Sequence, residues 1–430
     1  MSTRLRLVAG LIGAFTGTLA LAGGALAHGR DHHPGGSFTG SHRGSDSSGY
    51  GSYGGGPEPP HVGPAAKLFV SPAGTPGAPC THKRPCKTIG EALAKATRGS
   101  TIIVEGGEYN EEVPITTKLR LIGVGLPTIN ALGHHNAIKL AGPATAGSLI
   151  EDFKIEHASE EGILALTTKH VKIVHNEVRE NDLGNKVPIP EGQCKGEGKI
   201  PGDCGEGIHL VGTSHSLVTE NLVIANAGGI LLTDGTGPSA HNEIIRNDAV
   251  ANIEDSGITL AGHNPEAFVG GKQQRSKAGI YDNDIIGNIT LANGLIEGGG
   301  AGILLASALP GGGVYDNLVR GNAAAENGFP GIALHSPTLG QDLNGNKFID
   351  NELTNNGKTG DMGEPGDAGT GLEATAGMII FSMVTPLEGI VVSGNKISKE
   401  HFGIWTLNAP PIEEAANTFI EVEVPLFQKP

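Results

Sequence analysis

No short motif in this 430-residue chain announces a reaction. There is no G-x-S-x-G elbow for a nucleophilic serine, no H-E-x-x-H pair for a catalytic zinc, no P-loop and no dinucleotide fingerprint. Aromatic residues make up only 4% of the chain and charged residues 17%. Basic residues are outnumbered 30 to 45, giving a net charge of −15, which excludes nucleic acid and anionic membranes as natural partners. Only four cysteines occur and none has C-x-x-C spacing, which argues against redox or zinc roles for them. Past residue 27 no run is long and apolar enough to span a bilayer.

The first 27 residues read as a signal peptide. Arg4 and Arg6 form its basic end, Leu7 to Leu21 its apolar run, and Ala25-Leu26-Ala27 its small-residue cleavage site. The same run would serve an uncleaved membrane anchor. Cleavage implies a secreted protein without an integral membrane segment, and loss of the two arginines takes the net charge to −17. The four cysteines, an even number, suit an oxidising compartment. They fall into the close pairs Cys80 with Cys86 and Cys194 with Cys204, read here as two local disulfides, although three pairings are formally possible. Residues 28–65 are a Gly/Ser/His/Pro-rich linker without the apolar content to fold. Its His28, His32, His33, His42 and His61 form a solvated spacer or a loose metal ligand. The folded domain is expected over residues 66–430.

Glycine, at 69 residues, is the abundant type, and with no G-X-Y period it signals many turns. Thr88-Ile89-Gly90-Glu91 fits a helix-capping box, with Gly99 as the expected helix end. The chain then repeats itself. One element is G-I-x-L, as in Gly207-Ile208-His209-Leu210, Gly229-Ile230-Leu231-Leu232, Gly257-Ile258-Thr259-Leu260, Gly302-Ile303-Leu304-Leu305 and Gly331-Ile332-Ala333-Leu334. The other is an asparagine pentad: Asn242, Asn247, Asn252; Asn283, Asn288, Asn293; Asn317, Asn322, Asn327; Asn346, Asn351, Asn356.

Stacked strands explain both elements, because equivalent residues of successive coils lie about 4.8 Å apart and share one environment. The predicted fold is all-β: a right-handed parallel β-helix of about ten coils, from Ile102 to Trp405, behind a short N-terminal capping helix. Its handedness follows from the near-universal right-handed crossover of parallel strands. A middle asparagine ladder is expected to run inward through eight coils, with Asp152 and Asn395 among its members. Thr418 to Val424 reads as a final edge strand whose Glu421 and Glu423 block end-to-end stacking.

Pro85-Cys86-Lys87-Thr88-Ile89 and Gly107-Glu108-Tyr109, within residues 68–113, resemble the opening of pectin-lyase-like β-helix proteins, and the repeats extend that resemblance over most of residues 68–407. The superfamily includes lyases, hydrolases, epimerases, esterases and non-catalytic proteins, so the resemblance implies a fold more than a function. It also implies that substrate lies along the outer face of one sheet, walled by insertions. On the G-I-x-L strand that face would carry Lys139, Leu164, His209, Leu231, Thr259, Leu304, Ala333, His335 and Trp405, a mostly apolar or small set. A calcium-dependent polyuronate lyase would show carboxylates there.

Three residues in similar places of consecutive coils, His209, Asp234 and His263, are the acid/base candidates. Lys139, Lys272, Arg275, His335 and Trp405 are candidate substrate contacts. Among the acids just before the G-I glycines, Glu161, Glu206 and Asp255 are candidate ligands for a cation such as Ca2+, since stacked carboxylates repel unless a cation joins them. Long insertions at 182–206, 263–278 and 357–376 mark where function is expected. Two readings follow. One is a secreted polysaccharide lyase or glycoside hydrolase. The other is a non-catalytic surface protein that binds a polysaccharide or cell-surface glycan. A monomer is expected in either case.

Overall fold

A computed structural model describes residues 63–181, 205–295, 300–307, 309–358 and 375–429. The expected leader, nearly all of the linker and the proposed Cys194–Cys204 bridge lie outside the described residues. Cys80 and Cys86 are joined. No helix among the described residues is long and apolar enough to cross a membrane.

The chain winds through three parallel sheets of eleven strands each. Sheet 1 runs from Lys67–Val70 to Val391–Ser393, sheet 2 from Glu108–Asn110 to Thr418–Ile420, and sheet 3 from Val113–Ile115 to Val424–Lys429. In each coil a sheet 3 strand is followed by strands of sheet 1 and sheet 2. From Ile102 in Ser100–Glu105 to Trp405 in Phe402–Leu407 the chain makes the ten expected coils, with Lys67–Val70 stacked before them and Thr418–Ile420 and Val424–Lys429 after.

The G-I-x-L element is the sheet 3 strand. Its isoleucines pair in one column, Ile138, Ile163, Ile208, Ile230, Ile258, Ile303 and Ile332, continued by Met378 and Ile404. All are buried in a core that runs the length of the solenoid. The preceding glycines have a steric cause. A Cβ on Gly229 would stand 2.0 Å from the carbonyl oxygen of Gly257, and one on Gly302 2.4 Å from that of Gly331. On Gly207 it would stand 2.3 Å from Val223 Cγ1.

The pentad is three strand residues plus a two-residue corner. At each corner a left-handed residue comes first: Arg246 before Asn247 (φ 55°), Gly287 before Asn288 (φ 63°), Asp350 before Asn351 (φ 56°). The asparagine then turns inward. Asn288 Oδ1 accepts from Asn247 N (2.9 Å) and Nδ2 (3.1 Å), while Asn288 Nδ2 donates to Asn322 Oδ1 (3.0 Å) and Ile244 O (2.8 Å). Every amide hydrogen-bonding group is used, as burial demands.

The middle ladder has eight asparagines: Asn176, Asn221, Asn247, Asn288, Asn322, Asn351, Asn395 and Asn417. Asp152 is not a member. It takes the left-handed corner position (φ 64°), and Phe153 N–H donates to Asn176 instead. Two further ladders flank it, through Asn242–Asn283–Asn317–Asn346 and Asn181–Asn226–Asn252–Asn293–Asn327–Asn356. The latter ends on a buried carboxylate, Glu400, which accepts from Asn356 N and Nδ2.

At the first coil Thr88 and Glu91 form a capping box on the helix Ile89–Leu93, whose Ile89 and Ala92 join the core. The helix ends before Gly99, which instead turns the chain into the strand Ser100–Glu105 at φ 87°. At the other end residues 418–424 are not one strand. Glu421 (φ 53°) is a corner between Thr418–Ile420 of sheet 2 and Val424–Lys429 of sheet 3.

Candidate metal centre on the outer face of sheet 3

From Asp152-Phe153 onward, the connection between sheets 1 and 2 is two residues long in each coil through Gly394-Asn395. The expected insertions at 182–206 and 357–376 lie mostly outside the described residues; in chain order each comes between a sheet 2 strand and a sheet 3 strand, while 263–278 follows a sheet 3 strand. The outer face of sheet 3 is not an open apolar floor. His209, Leu231, Thr259, Ile379 and Trp405 are buried, while Lys139, Leu164, Leu304, Ala333 and His335 are partly exposed.

Two carboxylates and an imidazole meet on this face. One ligand atom each of Glu161, Glu206 and His209 lie within 4.8 Å of one another, the one such group of three among the described residues. Glu161 is 7% exposed, Glu206 1% and His209 4%. Glu161 and Glu206 stand two residues before the paired isoleucines Ile163 and Ile208, so the strand register stacks them. The glycine after each has no room for a side chain, since a Cβ would meet Val178 at 2.5 Å on Gly162 and Val223 at 2.3 Å on Gly207. The next coil has Gly228 at the same level, where a Cβ would meet Glu206 Cγ and Oε1 at 3.2 Å.

His209 lies one residue past Ile208 and spans three coils. Its Nδ1 is 3.2 Å from Glu161 Oε1 on one side, and its Nε2 is 3.0 Å from Thr233 Oγ1 on the other. The second oxygen of Glu161, Oε2, is buried and accepts no hydrogen bond among the described residues. Asp255 stays outside this group: its Oδ1 accepts from Ser256 N at 2.6 Å. The candidate metal set is thus Glu161, Glu206 and His209, with His209 in the place given to Asp255.

The acid/base trio is divided. Asp234 is fully buried and meets the main chain of the 263–278 insertion: Oδ1 accepts from His263 N (2.8 Å) and Asn264 N (3.0 Å), and Oδ2 from Gly279 N (2.8 Å). Burial pushes its carboxyl up, against these N–H donors and the nearby His263. Asp234 therefore anchors the insertion. His263 meets it through its backbone N–H, and His209 is bonded to Glu161 and Thr233.

The proposed substrate contacts are scattered. Arg275 packs over the rings of Tyr281 and Tyr315, 4.7 and 5.1 Å from their centroids, and pairs with Asp282 and Asp316. It is committed to the corner of the solenoid. Lys272 is exposed on a two-stranded hairpin, Phe268–Val269 with Lys272–Gln273. Trp405 is 8% exposed in a row of rings, His335, Phe381, Trp405 and Phe427, of which Phe427 at the edge is exposed. It packs the end of the sheet rather than offering a free ring face.

A family model described as a right-handed beta helix region matches residues 128–273. None of the curated proteins matches the chain. Among solved structures, the chain is similar to the catalytic domain of a GH87 alpha-1,3-glucanase in complex with nigerose. The identity is 15% and the TM-score 0.51, over 85% of this chain and 59% of that one, so the chain spans less than two thirds of that domain. It is also similar to the A-module of the Azotobacter vinelandii mannuronan C-5 epimerase AlgE4, at 14% identity and a TM-score of 0.45, over 77% and 88% of the two chains. At these identities the likeness is one of fold.

Proposed function

We propose, from the premise that this chain is a member of the pectin-lyase-like right-handed parallel β-helix superfamily, that it is a secreted carbohydrate-active protein that binds a polysaccharide on the outer side of sheet 3. The observation that carries this reading is the one-sided elaboration of the solenoid. Its two-residue middle corners leave sheets 1 and 2 unextended where they meet, and its long insertions all adjoin sheet 3 strands in chain order. Lys139 and Leu164 toward one end, and Leu304, Ala333 and His335 toward the other, are the partly exposed contacts of that face.

Binding fits the side-chain geometry better than cleavage. Glycoside hydrolysis by paired carboxyls needs two groups about 5–10 Å apart that reach opposite sides of a bound sugar. Glu161 and Glu206 are closer than that at one pair of oxygens, and both are buried. Asp234 is held by main-chain donors. A second reading, a polysaccharide lyase or glycoside hydrolase, draws on Glu161, Glu206 and His209 as its polar centre.

The test is a panel of neutral and uronate polysaccharides offered to the purified protein, with binding read by affinity electrophoresis and products by reducing ends and unsaturated-uronate absorbance. Saturable retardation without product is expected. Product from any polymer, lost in Glu206→Gln, would replace binding by catalysis. Neither binding nor product across the panel would end the carbohydrate reading.

A further inference from the structure

We propose that Glu161, Glu206 and His209 bind one transition-metal dication of the Zn2+ class, in preference to Ca2+. This goes beyond the glycan reading and stands whether or not a polysaccharide binds. Four observations converge on it.

The donor set is mixed, two carboxylates and one imidazole, whereas Ca2+ takes oxygen ligands alone. The spacing also fits. Ligands held about 2.0–2.1 Å from one zinc ion, at octahedral to tetrahedral angles, stand about 2.9–3.4 Å apart. His209 Nδ1 and Glu161 Oε1 are 3.2 Å apart. The far nitrogen of the ring is placed as a metal-bound histidine requires: with an ion on Nδ1, which is 3.2 Å from Glu161 Oε1, Nε2–H would donate to Thr233 Oγ1, 3.0 Å away. Finally, Glu161 Oε2 is buried, accepts no hydrogen bond among the described residues, and belongs to a carboxyl more than nine-tenths buried. An acceptor left without a donor inside a protein is costly, and a cation beside it removes that cost. The register of sheet 3 supplies the like-charged neighbour, since the Glu161 and Glu206 columns coincide through the pairing of Ile163 with Ile208.

The experiment uses the full chain, stripped with chelator, dialysed against Zn2+ and analysed for bound metal, with calorimetry for affinity. Any weak binding by the histidines at 28, 32, 33, 42 and 61 is common to all the proteins compared, so the reading is a difference between proteins that all keep them. Wild type should hold one more tight equivalent than Glu161→Gln or His209→Ala. Thr233→Val, which touches only the second nitrogen of the ring, should weaken that equivalent by about 10–100-fold. Co2+ in place of Zn2+ should give a visible ligand-field spectrum in wild type that His209→Ala lacks. A tenfold excess of Ca2+ should not displace the ion. Circular dichroism checks the fold, and if the two ligand variants do not fold, Thr233→Val decides. Equal tight equivalents in wild type and variants, an unchanged affinity in Thr233→Val, or displacement by Ca2+ would each overturn the proposal.

Discussion

Replacing Glu400 with glutamine should remove a pH-dependent weakness at the C-terminal end of the solenoid. Glu400 stands where the ladder of Asn181 to Asn356 calls for an amide, and is 4% exposed. Asn356 N lies 2.9 and 3.1 Å from its two oxygens, and Asn356 Nδ2 lies 3.1 Å from Oε1. Burial pushes its carboxyl up from 4.5 to about 7, against the donors of Asn356 and the charge of Lys358, with Glu326 adding to the rise. The folded state thus holds this proton more tightly than the unfolded chain. Its contribution is fully present below pH 4.5 and is lost as pH rises through about 7. A shift of that size corresponds to about 3 kcal/mol. Trp405, the only tryptophan, lies in the adjoining strand Phe402–Leu407 and reports on this end. Urea unfolding followed by its fluorescence at pH 5 and pH 8 should show wild type losing about 2.5 kcal/mol more than Glu400→Gln across that interval, since part of the effect is already lost at pH 5. The variant should be the more stable of the two at pH 8. An equal pH dependence in both proteins would refute the reasoning.

Asn288→Ala should cost about 4 kcal/mol in urea unfolding, because it leaves the buried N–H and amide of Asn247 without their acceptor and takes a donor from Asn322 and Ile244. Gly229→Ala should cost about 3 kcal/mol, since its Cβ meets backbone at 2.0 Å, whereas Gly228→Ala, whose Cβ meets only side-chain atoms, Glu206 at 3.2 Å and Asp255 at 3.5 Å, should cost about 1 kcal/mol. Thermal unfolding of the two glycine variants side by side checks the contrast.

The fold was legible because the solenoid repeats its steric problems. The glycine column exists wherever the next coil's carbonyl crowds it, and the pentad is the length of a short strand and its corner. What escaped notice lay where the repeat frays. Asp152 has the right spacing for the ladder but sits one residue early, and Asn417 has no partner pentad to announce it. The site was half legible. Stacked charge points to Glu161 and Glu206, and they do stack. Similar place along the strand groups His209 with Asp234, because it does not reveal which neighbouring coil a ring leans toward. Asp234 and His263 are close, through the main-chain N–H of His263 as well as the charge of its ring, and residue type alone does not reveal the main-chain part.

The two-residue middle corner also governs how such a protein can change in length over generations. A single inserted residue there would flip the strand that follows and break the ladder. Gain or loss of one whole coil splices an asparagine onto the next strand start with register intact, as if Asn221 were followed by Asp248. A whole-coil gain or loss would thus change the axis in steps of about 4.8 Å, whereas a single-residue change at the corner would not be accommodated.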